Sequence, residues 1–270
     1  MGVFRRMPPV TLVIPARFRS SRFPGKPLTM LRGPGEEPKP LIQWAWEAAR
    51  RVPAVDRILV ATDDRWIADA VTALGGEVVM TSPACRNGSE RCAEAIRRAG
   101  VRNGIVVNLQ GDAPLTPPDA IAALVRTLAG DSRIAVASPM LRCRPAMAIR
   151  LAKAARRGTP GGVTVVVDRR SDALYFSRHV LPWSDEGGSR PPVFMHLGVY
   201  AYRAAALRRY AAGEPSDAEV AEGLEQLRFL HLGMAIRMIE IAEPPGGLWE
   251  VNHPADVPLV EAALRVRGTA

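Results

Sequence analysis

Apolar residues come in short runs along the first half of the chain, separated by stretches in which they recur every three or four positions. Short apolar runs bounded by turn residues read as buried strands, and the helical recurrence reads as amphipathic helix. The pattern predicts strands over residues 10–15, 56–61, 77–80, 104–109 and 134–138. Between them it predicts helices over 41–51, 67–74, 90–99 and 117–128, the last with proline near its start, where a missing N–H is tolerated. A Gly/Pro-rich insert at 33–40 precedes the first helix. Strand–helix alternation at this spacing implies a three-layer, Rossmann-like α/β fold, with a mainly parallel sheet covered by helices on both faces.

After about residue 150 the pattern changes. Residues 163–168 and 173–176 read as a hairpin, and Pro191-Pro192 precede a strand over 194–202. An amphipathic helix is expected over 218–230, a strand over 235–241 and a closing helix over 253–266. The whole chain, 1–270, reads as one domain with a β-rich section inserted at about 163–215. Such an insertion is a common place for an acceptor lid or a dimer contact.

Composition narrows the function. Apolar residues make up 47% of the 270, enough for a proper core. Lysine and arginine number 36 against 27 acidic residues, a net charge of +9, which favours anionic partners. Aromatics are only 6% and are not interleaved with a basic run, which argues against a stacking platform for nucleic acid. Much of the charge is scattered arginine, as expected of solvated helix faces. Cys85, Cys92 and Cys143 are odd in number and lack zinc-ligand spacing, so free thiols in a reducing, cytoplasmic setting are expected. No apolar run approaches a membrane span and no signal-peptide pattern opens the chain.

The candidate chemistry begins directly after the first strand. Ala16, Arg17, Arg19, Arg22 and Lys26 lie on a loop broken by Pro15, Pro24, Gly25 and Pro27, which cannot be helical. A stiff cationic loop at the carboxyl end of a first strand suits a polyphosphate, because ligands of open α/β sheets bind at that edge. Asn108-Leu109-Gln110-Gly111-Asp112 ends the strongest strand and presents Asp112 at the same edge. That carboxylate suits a magnesium ion shared with phosphate oxygens, or a cap on the following turn. Asp63 and Asp64 follow another strand and suit the N-cap of the next helix. Ser89 or Asn87 can cap the helix that carries Arg91, and a helix N-terminus attracts anions. Taken alone, Tyr175-Phe176-Ser177-Arg178, the segment from His196 to Arg203, and Glu225-Gln226-Leu227-Arg228 could be plain packing.

In order, these segments resemble the CMP-Kdo synthetases, the 3-deoxy-manno-octulosonate cytidylyltransferases. The resemblance runs from Val13 to about Val260. It is carried by Ile14-Pro15-Ala16-Arg17, Arg22-Phe23-Pro24-Gly25-Lys26-Pro27-Leu28, Val60-Ala61-Thr62-Asp63-Asp64, Gly88-Ser89-Glu90-Arg91, Gln110-Gly111-Asp112, Ala173 to Arg178, His196 to Tyr200 and Glu225 to Arg228. It implies a nucleotidyltransferase fold, a homodimer, CTP and magnesium, and release of pyrophosphate. By residue it implies Ala16, Arg17, Arg22 and Lys26 on the triphosphate, and Ser89, Arg91 and Gln110 on the cytidine side. Asp112 becomes a metal ligand, and Arg178, His196, Tyr200, Glu225 and Gln226 an acceptor pocket. Lys26, Arg17 and Asp112 carry the catalysis.

Four positions depart from the family pattern. Ala113 stands for an acidic residue, Thr164 for a lysine and Asp185 for an arginine. Asn252 stands for a second metal-binding aspartate and is expected to join Asp112 at the metal through its uncharged amide oxygen. The expectation drawn from them is an acidic acceptor other than Kdo, such as a small phosphonate like phosphonoformate. The alternatives are Kdo itself or an amino-substituted relative, and a nucleotide-binding protein that has lost catalysis.

Overall fold

The computed structural model describes residues 7–19, 22–35, 37–158, 161–183 and 191–268. The first half alternates as the apolar pattern implies. It runs β1 (Val10–Ala16), the short pair β2 (Met30–Leu31) and β3 (Lys39–Pro40), α1 (Leu41–Arg50), β4 (Arg57–Thr62) and α2 (Arg65–Ala73). Then come β5 (Glu77–Met80), α3 (Gly88–Arg98), β6 (Ile105–Asn108), α4 (Pro118–Gly130) and β7 (Val136–Arg142). The second half holds α5 (Pro145–Arg156), the hairpin β8 (Val163–Val167) and β9 (Ala173–Ser177), β10 (Phe194–His196) and β11 (Tyr200–Arg203). It closes with α6 (Ala204–Ala212), α7 (Asp217–Glu222), α8 (Gln226–His231), β12 (Ile236–Ile241) and α9 (Val257–Gly268).

β1 shows why the sheet is central. All seven of its residues are buried. Val10, Leu12 and Ile14 pack on one face with Ile42, Ile67, Ile121 and Leu124. Val13 packs on the other with Cys92, Ile96, Leu207 and Phe229. Alternate side chains of a strand leave opposite faces, so α1, α2 and α4 cover one side and α3, α6 and α8 the other. The result is the expected three-layer α/β fold. Strands β5, β4, β1 and β6 are parallel neighbours, so the loops after β1, β4 and β6 emerge at one edge.

The second half corrects two expectations. The strand expected over 194–202 is two strands. β10 pairs with β8 and β7, whereas β11 pairs with β6 and β7. The chain changes outer neighbour at Leu197-Gly198-Val199, and the sheet forks there between β6 and β8. The helix expected over 218–230 is α7 and α8, separated at Gly223, whose φ of +63° is a left-handed conformation that glycine adopts freely. Helices α5 and α6 were not expected. Only Leu151 of α5 is buried, so it leaves little apolar periodicity to read. Strands β8, β9 and β10 continue the main sheet. No helix among the described residues is long and apolar enough to cross a membrane.

Candidate active site

A cleft of about 750 Å³, open mouth included, lies at the shared edge of β1 and β6. Its walls are the loop after β1 (Arg17, Arg22, Lys26), the end of β6 (Gln110, Gly111, Asp112) and the start of α3 (Asn87, Gly88, Arg91). The loop after β1 closes on itself where Gly25 N donates to Phe18 O at 3.0 Å, and Gly25 holds φ +70° before a 3-10 turn over Lys26–Leu28. That turn aims Lys26 at Asp112, with Nζ 2.5 Å from Oδ2. The side chains of Arg17 and Arg22 stay at the rim, and Arg22 reaches Asn252 Oδ1 at 3.4 Å.

Close approach of β6 to its neighbours explains two glycines. A Cβ on Gly111 would lie 3.0 Å from the Pro15 carbonyl oxygen, and one on Gly88 would lie 2.7 Å from Gln110 Nε2. The second lets the Gln110 amide lie against the start of α3. Asn87 caps that helix through Glu90 N at 2.9 Å. Arg91 is buried and fixed by Thr81 Oγ1 at 2.6 Å and Asp63 Oδ2 at 3.2 Å. Asp63 is therefore a counter-ion, and Asp64 is the expected N-cap, accepting from Ile67 N at 3.1 Å. Cys85 also lines the cleft. Burial and the Glu94 carboxylate push its thiol up to about 12, so it is neutral. All three cysteines are free, as expected.

Ser89, placed on the cytidine side by resemblance, is not a cleft wall. Its hydroxyl meets Tyr202 Oη at 2.7 Å, and its backbone N–H donates to Glu225 Oε2 at 2.8 Å. It joins the cleft to the buried group expected for the acceptor. That group is a one-way chain of hydrogen bonds. Ser138 Oγ lies 2.6 Å from Val199 O and 2.8 Å from His196 Nε2. A hydroxyl has one hydrogen, so it donates to the carbonyl and accepts from Nε2–H. Nδ1 then faces the Gln226 amide at 3.5 Å, and Gln226 Oε1 accepts from Tyr200 Oη at 3.2 Å. Burial holds His196 down to about 3, so its ring is neutral. Glu225 is pushed up to about 7, by burial first and by Glu219 in addition, against its bonds to Ser89 and the charge of Arg228. Arg178 stands apart from this chain, with Nε donating to Glu222 O at 2.6 Å and an NH2 to Gly223 O at 3.2 Å.

Two of the departing positions have structural duties. Thr164 is buried; its Oγ1 donates to His179 O at 2.6 Å and accepts from Leu181 N at 3.1 Å, pinning the turn after β9. Ala113 is buried inside the turn after β6, where its N–H donates to Gln110 O. Asp185 lies outside the described residues. Asn252 sits at the cleft mouth between Arg22 and Glu250, with Nδ2 3.5 Å from Glu250 Oε2. Sequence reasoning passed over Glu250, a carboxylate two positions before Asn252. Burial and the Asp112 charge raise its carboxyl to about 7, against the pull of Lys26 and Arg22. Glu250 keeps solvent-exposed surface at the cleft mouth.

A cationic, proline-stiffened loop facing a strand-end carboxylate on a Rossmann-like sheet suits a nucleotidyltransferase. A cytidylyltransferase family profile matches residues 11–236. The 3-deoxy-manno-octulosonate cytidylyltransferase of Maricaulis maris is 42% identical over 96% of this chain and 98% of its own. The mitochondrial one of Arabidopsis thaliana is 36% identical over 94% of this chain and 83% of its own. A solved structure of CMP:2-keto-3-deoxy-manno-octonic acid synthetase complexed with CTP superposes with a TM-score of 0.80, at 37% identity, over 94% of this chain and 97% of that one. The chain belongs to the CMP-Kdo synthetase family of cytidylyltransferases.

Proposed function

We propose that this enzyme transfers CMP from CTP to 3-deoxy-manno-octulosonate and releases pyrophosphate. The observation that carries this reading is likeness over nearly the whole chain, through both the nucleotide cleft and the His196–Gln226 chain, to relatives named for that sugar acid. The same relatives favour Kdo over the phosphonate acceptor expected from the departures. Thr164 and Ala113 serve the turns they sit in, so neither substitution speaks for a different acceptor.

The roles in this reading follow from what each side chain can reach. Arg17 has no hydrogen-bond partner among the described residues and is free to meet phosphate oxygens together with Arg22 and Lys26. The acceptor hydroxyl oxygen attacks the α-phosphorus, the bond to the β-bridging oxygen breaks, and pyrophosphate leaves held by these cations. The hydroxyl proton passes to solvent. Such catalysis is positioning and charge neutralisation. Gln110 and the start of α3 form the base side. His196 and Tyr200, both uncharged, orient Gln226 toward the acceptor by hydrogen bonds, while Glu225 fixes Ser89. The acceptor's carboxylate is left to Arg178.

Magnesium belongs to this reading. Among the described residues no three His, Cys, Asp or Glu side chains gather into a metal site. Asp112 nevertheless suits an ion that takes one or two carboxylates plus phosphate oxygens. Bound there, it would neutralise charge on the α-phosphate and lower the acceptor hydroxyl's pKa. A homodimer also belongs to it. Leu174, Tyr175 and Trp183 are exposed on and after β9, the edge strand of the sheet, and apolar edges are commonly covered by a partner. Light scattering at twice the chain mass is the expected result; a monomer at micromolar concentration would remove the dimer.

The deciding experiment is pyrophosphate release from CTP with Kdo, an amino-substituted Kdo, phosphonoformate, or no acceptor. Turnover is expected with Kdo and CTP. Turnover only with the phosphonate would overturn the acceptor assignment, and ATP serving as well as CTP would overturn the base side.

A further inference from the structure

The loop before α9 brings to the cleft a carboxylate that the roles above do not use. Val251 is buried among Leu31, Leu41, Trp44 and Val260, and its N–H donates to the Asp112 carbonyl oxygen at 3.0 Å. Residues two apart along extended chain share a face. With Val251 turned inward, Glu250 and Asn252 stand together on the outer side, beside Asp112. Glu250 Oε2 is the oxygen that faces Asn252 Nδ2. Its Oε1 lies over the fork in the sheet. A Cβ on Gly198 would be 3.8 Å from that atom and 3.9 Å from Gln110 Cγ. Glu250 thus spans the gap between the end of β6 and the turn after His196, where nucleotide and acceptor must meet.

Asn252 is poorly placed to be a metal ligand. Its oxygen accepts from Arg22 at 3.4 Å and its amide nitrogen faces Glu250 Oε2 at 3.5 Å. An amide also brings no net charge. Asp112 and Glu250 do bring charge, and Lys26 pairs directly with the first. Once a triphosphate draws Lys26 away, Asp112 is left without its cation beside the segment that carries Glu250, an arrangement that a divalent cation relieves.

We propose that Glu250, together with Asp112, supplies the carboxylates that hold the divalent cation, while Asn252 ties Glu250 to Arg22. This rests on the magnesium-dependent reading above. Relative to the family pattern, the second carboxylate has moved two residues toward the N-terminus and onto the fork.

The test is calorimetric and needs no turnover. CTP affinity is measured with and without Mn²⁺, the probe ion, in the absence of acceptor. By linkage, the factor by which Mn²⁺ tightens CTP reports the ion's hold on the protein–nucleotide site. Glu250→Gln is expected to lose about tenfold or more of that factor, with metal-free CTP affinity unchanged or tighter. Asp112→Asn should lose it as well. Asn252→Ala should lose less of it than Asp112→Asn, because both carboxylates stay and only an orienting contact goes. The double variant Glu250→Gln/Asn252→Asp should recover part of the loss. Thermal melts check that each variant is folded, and Glu250→Asp, with the charge kept on a shorter arm, should fall between wild type and Glu250→Gln. If Glu250→Gln keeps the full Mn²⁺ factor while Asp112→Asn loses it, Glu250 is no ligand and the proposal is overturned. If Mn²⁺ leaves wild-type CTP affinity unchanged, the magnesium reading itself falls and the proposal falls with it.

Discussion

Lys26 and Asp112 are each other's counter-ion in the free protein. Their pairing keeps opposite charges from leaving the cleft before substrate arrives. In the proposed reaction a triphosphate is a better partner for Lys26 than one carboxylate, so the pair would open on binding and the lysine would act on the leaving pyrophosphate. Lys26→Ala should therefore reduce kcat by about 10²–10³, the usual cost of losing one preorganised charge-stabilising donor. The melting temperature should change little, because a partly exposed ion pair contributes about 0–1 kcal/mol. Steady-state kinetics beside a thermal melt decide this, and near-normal turnover would remove Lys26 from the mechanism. Residue identity alone was a poorer guide at Thr164 and Ala113. Both look like lost functional groups in the sequence. In the structure one ties down a turn and the other fills one, duties that only three-dimensional contacts reveal.

The elements divide by how locally they are determined. β1 and β6 were legible because both their faces are buried, so apolar residues run on without a break. The cationic loop and the Gln110-Gly111-Asp112 turn were legible because each is contiguous in sequence and follows such a strand. The split of 194–202 was not, because it depends on which strand lies alongside: β8 at one end, β6 at the other. Glu250 was missed for the same reason, since its neighbours Asp112 and Gly198 come from distant parts of the chain. The split of 218–230 hides because apolar positions continue on either side of Gly223. What holds α7 and α8 together is Arg228, fully buried, with Nε 2.7 Å from Glu219 Oε2, NH1 3.0 Å from Glu90 Oε1, and its guanidinium 4.3 Å from the Tyr210 ring centroid. This network joins α8 to α7 and α3, and so sets Glu225 against Ser89. Arg228→Met would leave Glu219 without its cation and Glu90 with Arg86 alone. Breaking a buried pair from one side costs about 3–5 kcal/mol. Denaturant unfolding should show a loss of that size, and a loss below about 1 kcal/mol would mean the network is too hydrated to matter. Because Glu225 and Gln226 ride on the same element, KM for the acceptor should rise more than KM for CTP.

At the scale of the whole molecule, two buried titratable groups shape stability against pH in opposite directions. His196 is neutral in the folded state and held down to about 3 from the usual 6.5. A lowered pKa contributes stability that is complete above 6.5 and is lost as the pH falls toward 3. Glu225 is raised from 4.5 to about 7. A raised carboxyl contributes stability that is complete below 4.5 and is lost as the pH climbs through 7. Between pH 4.5 and 6.5 the two slopes cancel, because each step down costs at His196 what it restores at Glu225. Removing one group should expose the other. Glu225→Gln should lose stability steadily, relative to wild type, as the pH is lowered from 6.5, and His196→Gln should lose it as the pH is raised from 4.5. Melting temperatures of the three proteins across this range, taken as differences from wild type, cancel groups common to all. Difference curves that are flat for both variants would mean that neither group is buried in the form described here. If only the Glu225→Gln curve is flat, the Ser89 bonds alone would be holding that carboxylate near its ordinary value, and the link between the cleft and the His196–Gln226 chain would be a charged one.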